Sequence, residues 1–103
     1  MLHVGVPCPV CAAGFVGFVL CSDQKTVVMV CEECDSLWKV PGKITSETAL
    51  YTDGPDFTVP GLNCSIAHPA ARWAERGVIE KVGWGELIQG EDKAMDETRS
   101  LKP

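Results

Sequence analysis

Four of the six cysteines fall in two pairs, Cys8-Pro9-Val10-Cys11 and Cys31-Glu32-Glu33-Cys34, which together read C-x2-C-x19-C-x2-C. A thiol binds metal as its thiolate, and two intervening residues let a tight turn aim both sulfurs at one point. In such a turn the amides that follow each cysteine can also donate to sulfur. Two turns facing each other supply four thiolates in a tetrahedron, the closed arrangement of a structural zinc site, and the spacing lies within the zinc-site range. The expected ligands are therefore Cys8, Cys11, Cys31 and Cys34, holding one structural Zn2+ per chain. A metal with four protein ligands has no open position for water, so this one is expected to be structural and not catalytic.

The stretch between the pairs must bring them face to face. Phe15 to Cys21 and Lys25 to Val30 are rich in β-branched and aromatic residues, with Ser22-Asp23-Gln24 as a polar turn, which predicts an out-and-back hairpin. MLHVGVPCPVCAAG and VVMVCEEC resemble a zinc ribbon, in which two cysteine knuckles at the ends of a hairpin clasp a structural metal; the resemblance covers about residues 4 to 42. It implies the metal and the hairpin but no single activity, because such ribbons serve many functions. A rubredoxin, with redox iron in the same geometry, usually carries a glycine and an aromatic after one knuckle and a proline in the second. Here Ala12-Ala13 follow Cys11 and the second knuckle holds Glu32-Glu33, which favours zinc.

Two cysteines are left over. Cys21 sits near the hairpin turn and reads as a small buried hydrophobe. Cys64 and His68 make a C-x3-H pair, and His3 is a further imidazole, but four cysteines already fill the tetrahedron and no second site is expected. As a nucleophile Cys64 would have only His68 for a base.

The hairpin strands are apolar at both parities, at Phe15, Val16, Phe18, Val19 and Leu20 and again from Val27 to Val30. A strand with one wet face alternates, so both faces must be covered, either by the remaining sixty or so residues or by another chain. Leu37 to Val40 reads as a short strand stopped by Pro41-Gly42. Residues 41 to 62 are expected to be mostly irregular, with a turn of helix near Ile44 to Leu50 and an extended piece at Asp56 to Val59. His68 to Arg76 is expected to be helical with Pro69 in its first turn, and Val78 to Val82 continues the pattern. Trp38, Trp73 and Trp84 read as core residues, Trp38 beside the metal end. The fold class expected is small α+β: a zinc-ribbon hairpin over 1–43, an irregular and helical segment over 44–90 packed on it, and a flexible charged tail over 91–103.

The chain has 103 residues, 46% hydrophobic and 22% charged, with net charge −5 and pI about 4.9. No apolar run approaches a membrane span of about 18 residues, and MLHVGVPCPV lacks a signal peptide's basic region, so a cytoplasmic protein with reduced thiols is expected. Glu32, Glu33 and Asp35 crowd the second knuckle, where a zinc ion with four thiolates adds two further negative charges. Residues 1–43 hold four acids against three bases, which disfavours nucleic acid and favours a basic protein partner. No phosphate loop, H-E-x-x-H or G-x-S-x-G motif is present, and no enzyme is expected. The expectation is a non-enzymatic zinc-binding protein-interaction module with Glu32, Glu33, Asp35 and Trp38 as the partner-binding set. CEEC with its following tryptophan and VIEKVGWGEL resemble immunity proteins of polymorphic toxin systems, which implies a basic toxin domain as the partner to be neutralised. The alternative is a zinc-ribbon adaptor or nucleic-acid-binding protein in transcription or translation.

Overall fold

The β2–β3 hairpin organises the molecule: β2 (Phe15–Leu20) and β3 (Val27–Cys31) pair from Val16↔Cys31 to Leu20↔Val27 in a computed structural model that describes residues 1–91. Asp23 builds the turn between them. Its carboxylate accepts from the Lys25 and Thr26 amides, both at 2.9 Å, and from the Thr26 hydroxyl at 2.6 Å, while Gln24 takes a positive φ of 63°. Those bonds, the Thr26 hydroxyl first, hold the Asp23 carboxyl below its usual range.

Around the hairpin lie β1 (Leu2–Pro7), β4 (Leu37–Trp38), β5 (Arg72–Trp73) and β6 (Gly90–Glu91), in the order β4-β3-β2-β1-β6 with β5 also against β2. All the pairings are antiparallel. The short helix α1 (Arg76–Lys81) and a 3-10 turn (Gly85–Leu87) are the helical elements among the described residues. The fold is thus a small α+β arrangement dominated by its sheet. Among the described residues, no helix is long and apolar enough to cross a membrane.

The apolar residues at both parities divide between two cores. Val16, Phe18, Leu20, Val27, Met29 and Trp38 face one side, with Ile79, Ala74, Trp84 and Leu87 laid over them. Val19, Val28, Val30 and Leu37 face the other, under Val59, Ile66, Ala71 and Phe57. The chain's own later residues therefore cover both faces, as the loss of alternation demanded. Gly17 makes room on the second side, since a Cβ there would lie 2.8 Å from the Trp73 ring and 2.6 Å from the Met1 sulfur.

Two helical expectations fail. His68 to Arg76 is not a helix: residues 68–70 form a turn, Arg72 and Trp73 pair with Leu20 and Val19, and α1 starts only at Arg76. β1 meets β2 no further along than Gly17, and the buried backbone beyond it must find hydrogen bonds elsewhere. β5 supplies them, and the Ala74 amide adds another to the Phe18 carbonyl at 2.7 Å. The segment from Ile44 to Leu50 is a turn closed by reciprocal Thr45–Thr48 bonds, not a turn of helix. Near Asp56 to Val59 the extended piece shrinks to single bridges of Thr58 to Asp53 and Ser65. β1 and β6 have no counterpart in the sequence reading. Glu91 belongs to β6, and the rest of the expected tail, 92–103, lies outside the described residues.

Candidate metal centre

Each knuckle repeats one backbone plan. In the first, the Cys8 amide donates to the Gly14 carbonyl at 2.8 Å, the Ala12 amide to the Cys8 carbonyl at 2.8 Å, and the Val10 amide to the Cys8 sulfur at 3.3 Å. In the second, the Cys31 amide donates to the Ser36 carbonyl at 2.9 Å, the Asp35 amide to the Cys31 carbonyl at 3.2 Å, and the Glu33 amide to the Cys31 sulfur at 3.3 Å. The residue after each second cysteine turns left-handed, Ala12 at φ 59° and Asp35 at φ 64°. This is an unfavoured region for alanine, and the turn that aims the thiols requires it.

The two turns bring the four sulfurs within 4.8 Å of one another. Cys8 and Cys34 sulfurs stand 3.7 Å apart, and those of Cys11 and Cys31 3.6 Å. A tetrahedron with Zn–S bonds of about 2.3 Å has edges of about 3.8 Å, so the donor set fits a four-thiolate ion closely. All six cysteines are free, so no disulfide competes for these sulfurs. Cys8, Cys11, Cys31 and Cys34 thus form a cluster suited to a metal ion, as in a zinc ribbon.

The thiols differ in their readiness to ionise. Burial pushes the Cys8 and Cys31 thiols up, against the pull of amides donating to their sulfurs. Cys11 lies nearer the surface, and the Ala13 amide, with help from that of Gly14, draws it down to about 7. A bound dication would favour thiolate at all four positions.

Contacts between the knuckles fix their approach. The Phe15 amide donates to Glu32 Oε2 at 3.1 Å, and the Glu32 amide donates to the Phe15 carbonyl at 3.1 Å. Gly14 is needed between them, because a Cβ there would come within 2.6 Å of the Glu33 side chain and 3.0 Å of that of Glu32. Ser36 is wholly buried, and its hydroxyl lies 3.1 Å from the Cys34 sulfur. Sequence reasoning passed over Ser36; a small hydroxyl two residues beyond a ligand cysteine was the available signal.

The four residues expected to meet a partner separate into three kinds. Glu33 is exposed and Asp35 half-buried at the second knuckle. Glu32 is half-buried, and one of its carboxylate oxygens is taken by the first knuckle. Trp38 does not belong in the set: it is 2% exposed, its indole N–H donates to the Thr45 carbonyl at 3.0 Å, and it packs in the core that contains Cys8 and Cys31. The large apolar ring is worth more buried than displayed. Exposed instead near the first knuckle are Val6, Val10 and Phe15, which the sequence reading had not singled out as surface residues.

His68 and Cys64 serve different places. His68 lines a cleft with Arg72 and Trp73, while Cys64 lies in the second core together with Cys21. No protein-family model, curated protein or solved structure matches this chain.

Proposed function

We propose that the chain is a non-enzymatic, zinc-clamped interaction module, and that it acts as an immunity protein whose knuckle end binds and neutralises a basic toxin domain. The observation that carries this reading is the pairing of charge and apolar surface at that end. Glu33 and Asp35 stand on the second knuckle, while Val10 and Phe15, each 38% exposed, and Val6, 56% exposed, stand about the first. Apolar contact area next to single-sign charge suits a steered, stable protein contact. Zinc supplies the staple, since a centre closed by four thiolates has no position left for substrate. The same acids would repel a phosphate backbone, which weighs against a nucleic-acid partner.

The test is co-expression with the toxin domain encoded by the neighbouring reading frame, followed by measured binding of the purified pair. Growth should be restored, association should slow as salt rises, and Glu33→Lys should weaken the complex at least about tenfold while leaving the metal bound. No complex with that neighbour, or a complex indifferent to Glu33→Lys and to Phe15→Ala alike, removes the proposal.

A further inference from the structure

Cys21 and Cys64 are far apart in sequence and outside the metal cluster, yet the fold presses them together. Cys21 follows β2 and is fully buried; Cys64 is 5% exposed, and both belong to the second core with Val19, Val28 and Ile66. The segments that carry them are fastened at the next residue. The Ser22 amide donates to the Ser65 carbonyl at 2.9 Å, and the Ser65 amide donates to the Ser22 hydroxyl at 2.8 Å. Those bonds between the adjoining residues, and the shared core, set the two thiols side by side, and burial foremost, with Cys64 nearby, pushes the Cys21 thiol up. Both are free cysteines.

We propose that Cys21 and Cys64 form a second thiol site, an oxidisable pair that a small-molecule disulfide converts to an intramolecular disulfide without engaging the metal ligands. Cys64 is the entry point, because it alone has a sliver of exposure and because it sits on an irregular segment, residues 57–66, that local opening can lift. Its thiolate attacks one sulfur of oxidised glutathione, forming a mixed disulfide and releasing one glutathione thiolate. Cys21, already alongside, loses its proton to solvent and attacks the Cys64 sulfur, expelling the second glutathione. The two electrons leave the protein pair and reduce the glutathione disulfide to two thiols. The product ties the 57–66 segment to the end of the hairpin and closes a long loop, which stabilises the folded chain against the unfolded one. This site is independent of whatever the knuckle end binds.

The test uses the full zinc-loaded chain, treated with oxidised glutathione, quenched with an alkylating agent and digested for peptide mapping. The expected product is lighter by two hydrogens, links only the Cys21 and Cys64 peptides, keeps its zinc, melts at a higher temperature and reverts with dithiothreitol. Cys21→Ala should stall at the Cys64–glutathione adduct, and Cys64→Ala should yield neither adduct nor link. Repeating the wild-type reaction in sub-denaturing urea, which promotes local opening, should speed the link. A link to Cys8, Cys11, Cys31 or Cys34, zinc release in step with oxidation, or full alkylation of both thiols even in urea would overturn the proposal.

Discussion

At the knuckle end, four sulfurs converge where backbone amides point at them, whereas the Cys21 and Cys64 thiols meet among valines and isoleucine in the second core. Identical side chains thereby acquire opposite chemistry. An amide dipole aimed at sulfur favours thiolate, and Cys11, with little burial to oppose it, sits near 7. Burial favours the protonated thiol, and Cys21 is raised strongly. Cys8 and Cys31 feel both effects, and burial wins until a cation arrives. Environment, not residue type, decides which cysteines are suited to hold a metal ion. A further contrast is expected in energetics: an ion bound by the four thiolates would staple the metal end, whereas the second core is held by apolar packing and backbone hydrogen bonds such as Val59 to Cys64.

The largest difference should appear on breaking the metal end. Cys31→Ser, or a strong chelator, should abolish cooperative thermal unfolding and expose apolar surface to a hydrophobic dye, because a structural zinc is worth about 10 kcal/mol or more. A metal-free variant with an unchanged melting curve would show the staple to be dispensable. Acid should act in the same direction. The raised Cys8 and Cys31 thiols carry protons at neutral pH that zinc must displace, so affinity is high in base and falls as pH drops. Those two thiols alone imply about a hundredfold loss per pH unit from 8 to 6, with Cys11 adding to the slope below 7. Competition against a chromogenic chelator measures it directly.

A smaller effect sharpens the comparison within the metal site. Ser36→Ala removes the hydroxyl beside the Cys34 sulfur, and outer partners of ligands typically control about tenfold in metal affinity. The same competition assay should show that loss with the fold intact; unaltered affinity would make Ser36 a packing residue only. Least costly should be Cys64→Ala in the second core, at about 1 kcal/mol of stability by chemical denaturation. Zinc content should stay at one per chain. Metal loss in this variant would erase the distinction between the two thiol regions.

Much of the metal site is legible along the chain because its geometry is local. A C-x2-C turn places its own sulfurs and amides within a few residues, so Cys8, Cys11, Cys31 and Cys34 need no distant partner to be recognised. The hairpin is similarly local, down to the Asp23 turn. The two-sided burial of its strands also follows from their composition. Trp38 reads along the chain both as a core residue beside the metal end and as one of the partner-binding set; enclosed by the turn at Thr45, it keeps only the first place. His68 to Arg76 misled for a related reason. Its alanines and arginines favour helix on their own, yet the unmet hydrogen bonds of β2 draw Arg72 and Trp73 into the sheet.

Short-range chemistry, then, was written in residue order: which sulfurs can meet through two tight turns, which strands must be covered on both sides, and where the acids gather. Three-dimensional packing alone determined which later segments supply the cover, that Glu32 braces the opposite knuckle, and that Cys21 finds Cys64. The reason is one of range. A turn is specified by a handful of dihedrals and side chains, whereas a contact across forty residues depends on how every intervening element satisfies its backbone and buries its apolar surface.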